Sequence, residues 1–152
     1  MAAGLSTFIH SLLTGTGGHL ESYRRHLYGI VLDMAQHDCI LLGRGAHLIL
    51  RGRNCLRLRI VGSQENCAAR IAKQQDISLP AAGQRVSEIN DTRQKSIHKL
   101  FGADLPHPSL HHAANFDLIL NTDHYDPEST LPIILLALQQ AGFNLYSDGV
   151  SR

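Results

Sequence analysis

The chain has 152 residues, 43% of them hydrophobic and 18% charged. That is enough to bury one sizeable core and too apolar for a disordered tail. Fourteen Lys and Arg face 13 Asp and Glu, a formal net charge of +1, which argues against the broad basic footprint of a general nucleic-acid binder. No apolar run has the length to cross a bilayer. The opening MAAGLSTFIHSLLTG lacks a basic start and a cleavage pattern, so it reads as part of the mature protein. Cys39, Cys55 and Cys67 form no C-x-x-C pair and are odd in number, as expected of reduced thiols in a cytoplasmic protein.

In chain order, two N-terminal helices are predicted, Ser6 to Leu13 and Leu20 to Gln36, split by the turn Thr14-Gly15-Thr16-Gly17-Gly18. Three short apolar runs then read as buried strands: Cys39 to Leu42, Leu56 to Val61, and Phe116 to Leu120. Between the second and third, Ser63 is placed to cap a helix whose apolar face is Ala68, Ile71 and Ala72. Ser78, followed by Pro80 in the first turn, opens another helix running to about Leu100. A final helix starts at Glu128 or Ser129 and ends at Gly142. Strand and helix alternate, so the expected fold is α/β: a short parallel sheet of about three strands flanked by helices. Nothing resembles an interdomain linker. The chain is expected to be a single domain over 1–152, with a helical N-terminal region (1–38), an α/β core (39–141) and a C-terminal tail (142–152).

The most informative segment is CILLGRGAHLIL followed by LRLRIVG. A buried strand would deliver Gly43-Arg44-Gly45 to its carboxyl end, where open α/β sheets hold their ligands. Glycine lets backbone approach a ligand closely, and Arg44 offers a planar fork of donors suited to phosphate or carboxylate. ILLGRGAHLILR, LRLRIVGSQENCAARIAK, INDTRQKSIHKLFG and FDLILNTD, in that order from about Ile40 to Leu138, resemble the cytidylate kinase-like family of P-loop nucleoside monophosphate kinases.

The resemblance implies that Gly43, Arg44 and Gly45 help hold a monophosphate nucleotide. Gly45 stands where true cytidylate kinases carry an Asp that contacts the sugar. It also implies that the lid pattern Asp-Arg-x-Arg is reduced here to Asn90-Asp91-Thr92-Arg93, leaving Arg93 as the retained phosphate clamp. Asn121-Thr122-Asp123 matches the turn near the donor nucleotide, which makes Asn121 and Asp123 binding candidates. A turn that merely caps the next helix is an equal reading of the same three residues.

The family's phosphate-wrapping loop has no counterpart in these residues. No G-x-x-x-x-G-K-[ST] occurs, and Gly15-Thr16-Gly17-Gly18 has no Lys and reads as a helix–helix turn. The expected fold therefore resembles a truncated P-loop kinase without its N-terminal unit. Phosphoryl transfer depends on positioning and charge neutralisation, so autonomous kinase activity is not expected, and no catalytic residue is assigned. Mg and ATP enter only if another chain supplies a P-loop.

Loss of a central strand would leave unpaired backbone. Two remedies are expected: direct pairing of the strand ending at Gly43 with the one ending at Gly62, or closure of an exposed edge by a second copy, giving a homodimer. The alternative is a non-catalytic homo-oligomeric interaction protein that reuses the kinase-like core. Ten histidines include His107, His111 and His112 in one Pro-containing loop. They read as solvated rather than metal-bound, and no metal site is expected. Arg51, Arg53, Arg57 and Arg59 read as a solvated basic edge paired with nearby acids.

Overall fold

The computed structural model describes residues 17–102, 104–105 and 107–145. In chain order the elements are α1 (Gly17–Met34), α2 (Ala46–Ile49), β1 (Leu58–Val61), α3 (Gln64–Gln75), α4 (Leu79–Phe101), a 3-10 turn (Ala113–Asn115), β2 (Leu118–Asn121) and α5 (Pro127–Gln140). The chain is α/β, as the alternation predicted. The sheet has two strands rather than three among the described residues, β1 and β2, paired in parallel. The predicted helix Ser6–Leu13 and residues 14–16 of the Gly-rich turn lie outside the described residues, as does the tail from Tyr146. Gly17 and Gly18 belong to the start of α1 rather than to the turn.

Two compact units divide the chain. The first holds the described residues up to Asn54 together with Thr92–His112. In α1, Leu20, Tyr23, Arg24, Leu27, Tyr28 and Val31 are the better-buried positions, at the three-and-four spacing of one helical face. Arg24 reaches Asp104 at 2.6 Å, and the Tyr28 ring tilts against Phe101 with centroids 6.0 Å apart. Phe101 has no exposed surface and sits with Ile97 and Leu100 among the buried residues of this unit, which also include Ala46, Leu48, Ile49 and Leu50.

The predicted strand Cys39 to Leu42 is a correction. The segment is not assigned to a strand and pairs with no other strand among the described residues. Ile40 and Leu42 are 96% and 95% exposed. Four consecutive apolar residues signal burial, yet burial needs a neighbouring layer, and none covers these two. The expected direct pairing with the strand before Gly62 does not form; among the described residues β1 pairs with β2 alone.

The second unit holds Cys55–Asp91 and the described residues from Ala113 onward. The β1–β2 register runs from Leu58 opposite Leu118 to Val61 opposite Asn121. Both strands begin two residues later than predicted because an ion pair precedes the ladder. The Asp117 carboxylate accepts from the Arg57 amide (2.8 Å) and Nε (2.9 Å), and the Asp117 amide donates back to the Arg57 carbonyl (2.8 Å). Arg57 therefore has the acidic partner expected for that basic edge, while the Arg59 guanidinium lies 5.4 Å from the Phe116 ring centroid.

Ser63 caps α3 as predicted, its hydroxyl accepting from the Asn66 amide at 3.2 Å. Ala68 then packs with Ala82 and Val86 of α4, and Cys67, Ile71, Ala72 and Ile77 flank that cluster. α4 opens at Leu79 with Pro80 in its first turn, as expected. The cap of α5 is Asp126, whose carboxylate accepts from the Ser129 amide at 2.7 Å, with Pro127 at the first helical position. Along α5 only Thr130 is buried, and Leu131, Leu135 and Leu136 are exposed.

Candidate functional site

Gly43, Arg44 and Gly45 are three consecutive residues in the left-handed region, with φ of 76°, 55° and 73°. Glycine takes that conformation freely, whereas Arg44 is strained by it, a cost on the order of 1 kcal/mol that side chains accept where the surroundings impose the turn. The reason for glycine at 45 is visible in the packing. A Cβ there would come within 2.6 Å of the Phe101 ring and 3.3 Å of Ile97 Cδ1. A larger side chain could not be accommodated at this position without moving Phe101.

The same contact relates the two predicted arginines. Ile97 and Phe101 of α4 lie directly over Gly45, and Arg93 is one helical turn before Ile97. One turn is about 5.4 Å of helix rise, so Arg93 stands one turn along α4 from a residue that touches the Gly45 position. Arg44 and Arg93 are both exposed, and among the described residues no ion pair involves either. An exposed guanidinium is a planar fork of donors of the kind that recognises phosphate or carboxylate.

Asn121 and Asp123 belong to the second unit and are committed to local structure. The Asp123 carboxylate accepts from the Ser63 amide through both oxygens, at 3.0 and 2.9 Å. Asn121 Oδ1 accepts from the Asp123 amide at 3.0 Å. The Thr122 hydroxyl and amide both donate to the Val61 carbonyl, at 2.9 and 2.8 Å. Hydrogen bonding from the Asn66 side chain, followed by the Ser63 amide, holds the Asp123 carboxyl below the usual carboxylate range. Asp123 thus places a negative charge at the start of α3, where the helix dipole favours one.

Beside this turn is an open hollow of about 430 Å³ lined by Asn66, Ala69, Arg70, Lys73, Thr122 and Asp123. Asn66, Arg70 and Lys73 follow a helical i, i+4, i+7 spacing on α3, so one face of that helix presents two cations. The spacing was the available signal for Arg70 and Lys73, but their convergence on Thr122 and Asp123 depends on strand pairing. Arg70 also donates to Cys67 Sγ at 3.3 Å.

The loop histidines His107, His111 and His112 are exposed, as a solvated connector implies. His98, His107, His111 and His112 line a hollow of about 410 Å³ with Gln94, Pro108 and Ser109, and the rings of His107 and His112 stack at 4.9 Å. Gln94 Oε1 anchors this loop by accepting from the Leu110 amide at 3.1 Å. Among the described residues no group of three or more His, Cys, Asp or Glu is arranged to hold a metal ion. Cys39, Cys55 and Cys67 form no disulfide, and burial pushes the Cys55 thiol up.

A cytidylate kinase from Thermococcus kodakarensis is 31% identical over 71 residues, an alignment covering 47% of this chain and 34% of that enzyme. The aligned stretch therefore spans about a third of the length of that relative. The sequence profile of the cytidylate kinase-like family matches residues 2–124. That span includes the glycine turn, Arg93, the cationic face of α3 and the turn after β2, and it places the chain in the cytidylate kinase-like family.

Proposed function

We propose that this chain binds a nucleoside monophosphate through the Gly43-Arg44-Gly45 turn and Arg93, and that by itself it does not transfer phosphate from ATP. The single observation that carries the reading is the glycine turn. Gly45 packs against Ile97 and Phe101 of α4 while Arg44 in the same left-handed turn is exposed, on a chain of the cytidylate kinase-like family. The monophosphate would accept from Arg44 and Arg93 together, each a charge-assisted contact stronger than a neutral hydrogen bond.

Phosphoryl transfer from ATP requires a cradle for the donor phosphates and a divalent cation beside it. No G-x-x-x-x-G-K-[ST] is present in these 152 residues. Asp123, the acid of the turn after β2, has both oxygens on the Ser63 amide and offers poor purchase to a cation. Mg and ATP therefore belong to this reading only with a P-loop supplied by another chain. We place the protein in a reducing compartment, the cytoplasm, where its three cysteines stay reduced, and as a homodimer that covers its exposed apolar edge. Among the described residues no helix is long and apolar enough to cross a membrane.

The test is thermal denaturation of the purified chain titrated with CMP, dCMP and ATP. A monophosphate-dependent rise in melting temperature, lost in Arg44→Ala, is the expected result. No rise with either monophosphate, or an equal rise in Arg44→Ala, contradicts it.

A further inference from the structure

Gln94 and His98 of α4 line an open hollow of about 410 Å³ together with His107, His111 and His112 of the following loop. The loop is held in place locally. The Leu110 amide donates to Gln94 Oε1 at 3.1 Å, which leaves the Gln94 amide nitrogen to donate, and the His111 amide donates to the Ser109 hydroxyl at 3.0 Å. The rings of His107 and His112 stack nearly parallel, 4.9 Å apart and 12° from coplanar. No carboxylate lines the hollow. Asp104, the acid between α4 and this loop, is taken by Arg24 at 2.6 Å. The charged residues nearest Gln94 and His98 along α4 are Asp91, Arg93, Lys95 and Lys99, and none of them lines it. Of the described histidines only His124 lies outside the first unit, so proton uptake concentrates positive charge in the unit that holds the hollow.

The donors select the occupant. A neutral imidazole offers one N–H and one acceptor nitrogen, whereas an imidazolium offers two N–H groups and a charge. Two cationic rings held face to face repel each other, and the hollow has no acid of its own to offset that repulsion. An entering oxyanion supplies the missing charge and accepts from several rings at once, each a charge-assisted contact. A metal ion is not served in the same way, since among the described residues no three such groups are arranged to hold one. We infer that this hollow is a proton-coupled binding site for a tetrahedral oxyanion of the phosphate class, held by His98, His107, His111, His112 and the Gln94 amide. Protons and anion each favour the binding of the other, so affinity rises as pH falls through the range in which imidazole titrates. Neither Arg44 nor Arg93 lines the hollow, so the site is additional to the monophosphate turn.

Sulfate is the first probe, because its charge is constant between about pH 6 and about pH 8 and any pH dependence then belongs to the protein. Its binding is followed through the imidazole C–H resonances of the full chain by NMR, with a chelator present. Arg44→Ala is the background, so the guanidinium of the glycine turn contributes nothing and the result stands whatever that turn binds. The expected result is a saturable shift of the His98, His107, His111 and His112 resonances at about pH 6, with a dissociation constant at least about tenfold larger at about pH 8. Inorganic phosphate should displace the sulfate. His107→Gln combined with His112→Gln should remove the pH dependence; both side chains are exposed, so that variant should stay folded, as circular dichroism checks. Equal affinity at the two pH values, shifts spread evenly over all the histidines, or sulfate that phosphate does not displace would overturn the site. CMP separates the two sources of the ligand. Displacement at a lower concentration than inorganic phosphate assigns a phosphate carried on a nucleotide, and the reverse order assigns the free anion.

Discussion

Arg44 and Gly45 illustrate how neighbouring residues in one turn carry separate tasks. Gly45 is a packing requirement: its positive φ and the Phe101 ring leave no room for a side chain. Gly45→Ala should therefore destabilise the chain by roughly 1–3 kcal/mol, read as a lowered melting temperature. Arg44 is exposed and tied to nothing among the described residues, so Arg44→Ala should leave the melting temperature of the free chain within about 1 kcal/mol of the parent's in stability. Its cost should appear in ligand binding instead.

Three carboxyls are held below their ordinary range: Asp117 chiefly by the Arg57 guanidinium, Asp123 chiefly by the Asn66 side chain, and Asp126 chiefly by the Ser129 amide. A carboxyl whose pKa falls on folding contributes stability that is fully present above its unfolded value, about 4. That contribution is lost as pH falls through the folded value. Asp123→Asn should accordingly melt below the parent at pH 7, and the gap should narrow as pH drops toward 3. A gap that stays constant with pH would show that the Asp123 charge is not what joins the two turns.

Among the elements, those determined by local chemistry were legible and those determined by distant partners were not. Ser63 caps α3 and Pro80 sits in the first turn of α4 because both signals act within a few residues. Ser63→Ala should cost about 1 kcal/mol, the usual worth of such a cap, measured by denaturant unfolding. The segment Cys39–Leu42 shows the opposite case. Its apolar run looks like a buried strand, but pairing is a property of the neighbour, and the neighbour is absent among the described residues. The late starts of β1 and β2 have a similar cause, since Arg57 and Asp117 meet sixty positions apart in sequence. Arg44 and Arg93 were readable as site candidates from motif order, whereas Arg70 and Lys73 joined Thr122 only through the β1–β2 pairing. Phe101 was not singled out from sequence, yet it has no exposed surface and underlies the glycine turn. Phe101→Ala should cost about 3–5 kcal/mol and disturb that turn.

Over the whole molecule, family membership and chemistry give different expectations. The chain belongs to the cytidylate kinase-like family, but its 152 residues hold no G-x-x-x-x-G-K-[ST], and Asp123 is already bound to the Ser63 amide. Incubation with ATP, Mg and CMP should therefore yield no CDP above the uncatalysed rate. Exposed apolar surface on α5 and at Ile40 and Leu42 gives the molecule faces that invite further association. The most direct measurement is calorimetric titration of CMP into the parent chain and into Arg44→Ala. Saturable binding by the parent, weakened at least about tenfold in the variant, is the predicted result. Equal affinity in both chains, or no binding by the parent, would contradict the assignment of the glycine turn as a monophosphate site.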